Sequence, residues 1–142
     1  MARIHGIDHE ILPLNLGGNP FGWTADQATS FEVLDAFVAG GGSFVDTADV
    51  YSAWAPGNSG GESERIIGAW MASRGNRDEV VVATKTGQLE GHIGLADATV
   101  KASVRDSLAR LGTDHIDLYY AHRDDAEVSI ESQVRTFGGL VA

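Results

Sequence analysis

The strongest constraint on this chain is an alternation. Short apolar runs recur along it, each followed by a longer segment whose apolar residues return with helical spacing. Chains of this kind fold as βα units, pairing successive strands in parallel and packing the connecting helices outside the sheet. After a short start that reads as a β-hairpin around Gly6, four such units are legible.

The first pairs Leu14-Asn15-Leu16 with a helix from about Ala25 to Ala39, opened by a capping box of Thr24 and Gln27 and closed by Gly40-Gly41-Gly42. The second runs from Ser43 to Asp46, through a polar loop from Thr47 to Gly61, into a helix from about Glu62 to Ser73 with Ile66, Ile67, Trp70 and Met71 on one face. That loop exceeds the roughly 2–6 residues usual in a βα connection, which marks it as functional. The third strand, Val80 to Thr84, precedes a helix from Ala98 to Leu111, capped by Asp97, with Val100, Val104, Leu108 and Leu111 in helical register. The fourth, Ile116 to Ala121, precedes a helical segment from about Ile130 to Val141.

Bulk properties narrow the function classes. Twenty acidic against ten basic residues give a formal charge of −10, which repels nucleic acid and anionic membrane surfaces. No apolar stretch approaches the roughly 20 residues of a membrane helix, and the first residues lack the apolar core of a secretory signal, so the expected location is cytoplasmic. The absence of cysteine removes thiolate catalysis, disulfides and cysteine-ligated metals.

In parallel βα folds, the carboxyl ends of the strands and the loops that follow them form the functional face. Asp46, Lys85 and His122 end successive apolar runs, and Tyr51 lies just after the first of them, so the four side chains are expected to meet. Together they suggest proton transfer to a substrate oxygen. A free phenol ionises near pH 10 and is a poor donor at neutrality unless a cation stands beside it. Lys85 is the candidate cation, Asp46 its counter-ion, and His122 the group that orients a carbonyl oxygen.

The segments Leu16-Gly17-Gly18-Asn19-Pro20-Phe21-Gly22, Asp46-Thr47-Ala48-Asp49-Val50-Tyr51, Gly61-Glu62-Ser63-Glu64 and Leu108 through Tyr119 resemble the aldo-keto reductase family, in the right order along nearly the whole chain. The resemblance implies an NADPH-dependent reductase of aldehydes or ketones on a TIM-type (βα)8 barrel. Tyr51 would be the proton donor, Asp46 and Lys85 would tune it, and His122 would position the carbonyl. It further implies that Gly18, Asn19, Phe21 and Asp46 contact the cofactor, and that Trp23, Tyr51, Trp54 and His122 border the substrate; no metal is expected.

Four units make about half of an eight-unit barrel, so residues 1–142 read as its N-terminal half. The half that the resemblance places later carries the groups holding the nicotinamide amide and the adenosine 2′-phosphate, and without them these residues are expected to bind NADPH poorly. Two open strand edges and an uncovered interior predict self-association or the need for a missing C-terminal half, as in a truncated gene product.

Other readings compete. A metal-assisted hydrolase would use Asp46, Asp49, His122 and Asp124, and a catalytically silent half barrel would serve as an interaction module. Gly17, Gly18 and Gly22 read equally as a tight turn, and Glu62, Ser63 and Glu64 as charge and capping at a helix start. Asp117 reads as a buried, hydrogen-bonded acid, and His5, His9, His92 and His115 are assigned no role.

Overall fold

In a computed structural model, residues 1–141 are described. The start is the expected hairpin, with β1 (Ala2–Arg3) pairing antiparallel to β2 (Glu10–Ile11) and Gly6 turning at φ +85°. The remaining strands, β3 (Leu16–Gly17), β4 (Phe44–Asp46), β5 (Val81–Thr86) and β6 (Leu118–Ala121), form one parallel sheet in sequential order. Between and after them come α1 (Gln27–Ala39), α2 (Glu62–Arg74), α3 (Asp97–Leu111) and α4 (Ile130–Gly138).

Register fixes which side chains share a face. Gly17 pairs with Asp46, Asp46 with Ala83, Ala83 with Leu118 and Lys85 with Tyr120, so these residues line one surface of the sheet. The alternate residues Leu16, Val45 and Val82 turn to the helices. There, Val45 and Val82 join Leu34 of α1, Ile67, Trp70 and Met71 of α2, and Leu111 of α3 in the main apolar core. Helices α2 and α3 approach closely at Gly68, where a Cβ would stand 2.6 Å from the Leu111 carbonyl oxygen.

Several boundaries differ from the sequence reading, each for a local reason. Helix α1 is capped by Asp26, whose carboxylate accepts from the Thr29 amide at 2.8 Å. Thr24 does not cap it, because Ala25 is held outside the helix by its amide's bond to the Pro20 carbonyl. Asp97 is the first residue of α3 rather than its cap; its carboxylate pairs with Lys101 and accepts from Thr136 of α4. Strand β6 begins at Leu118 because Asp117 is drawn aside to Arg77 and the Val82 amide. Strand β5 runs on to Thr86, so Lys85 sits within it. Helix α4 stops at Gly138, short of Val141; Ala142 lies outside the described residues.

Candidate active site

Lys85 is the centre of the site. It points to the sheet face opposite the core, and its ammonium donates to Asp46 Oδ2 at 2.7 Å, the Thr47 carbonyl oxygen at 2.7 Å and the Tyr51 hydroxyl oxygen at 2.8 Å. An ammonium has only three N–H groups, so all of them are committed and the cation cannot swing away without losing a charge-assisted bond. The Tyr51 hydroxyl donates in turn to Asp46 Oδ2 at 3.3 Å.

His122 follows β6, anchored by its amide's bond to the Thr86 carbonyl at 2.9 Å. Its ring meets Tyr51 edge-on, with centroids 5.7 Å apart. Burial, reinforced by the Lys85 charge, holds its pKa below the ordinary histidine value despite Asp46, so the imidazole is neutral at neutral pH. Its buried Nδ1 has no hydrogen-bond partner. The four residues that the sequence singled out thus converge, and Thr47, through its carbonyl, joins them without any side-chain signal in the sequence.

The loop bearing Tyr51 is stitched down by groups that no motif announces. Ser52, the one non-glycine residue with positive φ among those described (+69°), donates to the Asn19 and Phe21 carbonyls at 3.1 and 2.8 Å. Asn58 donates to the Gly22 and Ser52 carbonyls. Ser63 donates to the Gly18 carbonyl and shares a 2.7 Å bond with Thr47. These bonds tie the first two βα loops into one rim. On it, Trp23 and Trp54 stand 52% and 49% exposed, in an edge-to-face pair with centroids 5.6 Å apart.

The expected cofactor residues separate in space. Asp46 faces the site, and Gly17 beside it leaves open floor, since a Cβ there meets nothing within 4 Å. Asn19 is exposed at the rim. Gly18 is turned to the helix layer, where a Cβ would meet Ser63 and Ile67, and its amide is spent on the Asp46 carbonyl. The Phe21 ring is 2% exposed and belongs to the core, which leaves only its backbone near the rim. Open floor at Gly17, flanked by the Asp46 carboxylate, fits the nicotinamide end of a dinucleotide.

Glu64 does not serve the start of α2 as expected. It is fully buried, accepting from the Thr84 hydroxyl at 2.6 Å and from Arg110 Nε at 2.5 Å. Glu62, the first residue of α2, instead ties down the loop before the helix, accepting from the Ser59 and Gly60 amides. Asp49 points to the same helix-side layer as Glu64, which separates it from Asp46 and His122 and breaks up the donor set of a hydrolytic metal site. Among the described residues, no three His, Asp or Glu side chains are grouped to hold a metal.

The sequence profile described as the aldo/keto reductase family matches residues 13–142. The chain belongs to the aldo/keto reductase family. This aldo/keto reductase chain is 40% identical over 149 residues to a norsolorinic acid reductase of Aspergillus flavus, an overlap of 93% of this chain and 37% of that protein. It is 36% identical over 158 residues to an aryl-alcohol dehydrogenase (NADP(+)) of Phanerodontia chrysosporium, covering 96% and 39% respectively. Among solved structures it matches the holo form of aldo-keto reductase AKR11C1 from Bacillus halodurans with a TM-score of 0.81 and 27% identity, over 98% of this chain and 45% of that one. The chain spans less than half the length of these relatives, and its parallel sheet with outer helices is a partial (βα)8 barrel.

Proposed function

We propose that this aldo/keto reductase chain carries the proton-transfer half of an NADPH-dependent carbonyl reductase site, with Tyr51 as the proton donor. The observation that carries the reading is the Lys85 ammonium, saturated by Asp46, the Thr47 carbonyl and the Tyr51 hydroxyl. When bound, NADPH supplies the hydride. Tyr51 gives its proton to the developing alkoxide, and the Lys85 N–H already aimed at the phenolic oxygen stabilises the phenolate that remains. Asp46 fixes the ammonium. The neutral His122 ring, edge-on to Tyr51, orients the substrate oxygen without competing as an acid. Asp46, Gly17 and the rim at Asn19 would hold the nicotinamide end.

The substrate class we infer is an aromatic aldehyde or ketone. The exposed Trp23–Trp54 pair at the rim offers one ring face and one ring edge to a flat substrate, a geometry that favours aromatic over small aliphatic carbonyls. The name of the aryl-alcohol dehydrogenase relative points the same way.

The sheet's two outer strands, β3 and β6, have no further partner among the described residues, and Tyr120 on the site face is 41% exposed. This open face supports assembly with the complementary barrel strands or with a second copy. The test is NADPH oxidation with 4-nitrobenzaldehyde, in the chain alone and in the chain joined to a C-terminal barrel half. Tyr51→Phe should cut turnover by about a thousandfold or more with cofactor affinity unchanged. Turnover retained in Tyr51→Phe would refute the assignment.

A further inference from the structure

Behind the Lys85–Tyr51 pair, on the helix side of the sheet, lies a polar cluster that proton transfer does not use. Asp49 is fully buried, and neither of its carboxylate oxygens has a hydrogen-bond partner. The Thr86 hydroxyl beside it is orphaned in the same way, as is the Tyr119 hydroxyl on the far side of Thr86. Asp49 is faced by Glu64 from α2, Arg110 from α3, Thr86 from β5 and Tyr119 from β6. Arg110 is already engaged by Glu64 and Ser107, and the other Glu64 oxygen by Thr84.

An ionised Asp49 would therefore be a second buried anion sharing one guanidinium with Glu64. Burial first, and then the Glu64 charge, push its pKa up to about 7 against the opposing pull of Arg110 and, more weakly, of the nearby Val50 amide and Thr86 hydroxyl, which do not outweigh the buried charge. Tyr119 is driven further from ionisation, also chiefly by burial, so it stays a neutral phenol whose oxygen can accept from Thr86. The same residue is a backbone junction: the Asp49 amide donates to the Lys85 carbonyl at 3.2 Å, and the Asp49 carbonyl accepts from the Gly61 amide at 2.7 Å. Thus the loop of Tyr51 meets the strand of Lys85 where the unpartnered acid sits.

We infer that Asp49 is a positioning residue: as the neutral acid it donates to the Thr86 hydroxyl and pins the loop bearing Tyr51 to the strand bearing Lys85, and loss of that proton loosens the loop. Thr86 then donates onward to the Tyr119 oxygen, and three orphaned groups are joined without a buried charge. The 2.8 Å contact between Lys85 and Tyr51 is the element that such loosening would disturb. Its catalytic consequence rests on the reductase reading above, whereas the anchoring itself does not.

The experiment reads the loop directly. Carbon-13 NMR follows the Asp49 carboxyl through pH, and hydrogen exchange, corrected for intrinsic rates, follows the Asp49 and Gly61 amides at about pH 6 and about pH 8.5. The carboxyl should titrate near neutrality, and both amides should lose about tenfold in protection between the two pH values, because ionisation favours the detached loop. The interior amides of β5 should not change. Asp49→Asn, a neutral isostere, should show no pH-dependent loss. Titration near pH 4, or an equal loss in Asp49→Asn, would overturn the inference. Should Asp49→Asn fail to fold, the titration of the unaltered protein decides alone. Neither readout requires NADPH or turnover, so failure here is separable from failure of the reductase reading.

Discussion

Replacing Arg110 with methionine isolates the cost of stranding a buried anion. Glu64 has no solvent exposure, and its carboxylate is held by two groups, the Thr84 hydroxyl at 2.6 Å and Arg110 Nε at 2.5 Å. Methionine preserves much of the aliphatic stem that packs over Gly61 and removes the guanidinium. Removing one partner of a buried pair costs about 3–5 kcal/mol, because the other charge stays behind without compensation. The bond to Ser107, lost at the same time, adds about 1 kcal/mol, and the surviving Thr84 bond keeps the total near 4 kcal/mol. With a urea dependence of about 2 kcal/mol per molar, the unfolding midpoint should fall by about 2 M, followed through the fluorescence of the buried Trp70. Adding Glu64→Gln should restore about 2 kcal/mol, since the amide oxygen still accepts from Thr84 and no charge remains. A loss below about 1 kcal/mol, or strict additivity of the two substitutions, would refute the reasoning.

Three further outcomes can be checked by the same unfolding methods. Gly68→Ala should destabilise by about 2 kcal/mol despite alanine's better helix propensity, because the added Cβ meets the Leu111 and Arg110 carbonyl oxygens at 2.6 and 2.7 Å, and these are backbone atoms that cannot swing aside. At Asp35, the bidentate bonds from Arg74 and then the Trp70 indole lower the pKa from 3.8 to about 2. Its contribution is present above pH 3.8 and disappears as pH falls towards 2, so Asp35→Asn should flatten that part of an acid denaturation curve. For Asp49 the sign is opposite. Its pKa rises from 3.8 unfolded to about 7 folded, so its favourable contribution is complete below the lower value, declines between the two and is exhausted above the upper one. The decline amounts to about 4 kcal/mol at roughly 1.4 kcal/mol per pH unit. Asp49→Asn should lack that slope in a pH series of urea midpoints.

The convergence of Asp46, Tyr51, Lys85 and His122 was legible because each ends, or closely follows, an apolar run, and parallel βα geometry sends such positions to one face. The Thr47 carbonyl was not, since any residue supplies one. Phe21 stood within a motif that suggested cofactor contact, yet its ring went to the core, because motif spacing carries no information on which way a side chain turns. Glu64 was read as helix-start charge for the same reason. Its place in the first turn of α2 is compatible with that role, and only the approach of Arg110, 46 residues later in the chain, draws it inward. Thr24 with Gln27 offered a capping box on sequence spacing, but the turn closed by the Ala25 amide and the Pro20 carbonyl kept Ala25 outside the helix and left Asp26 as the cap.

By itself the sequence determined the order of strands and helices, the stop of the first helix at Gly40, and the family, because periodicity, glycine chemistry and ordered motifs are local properties of the chain. Tertiary structure decided the rest: which face of β5 sends Lys85 to the site and Thr84 and Thr86 to the helices, and which carboxylates gain a cation. It left Asp49 buried with none to itself, because burial and charge pairing depend on residues distant in sequence that meet only once the sheet and helices close over them.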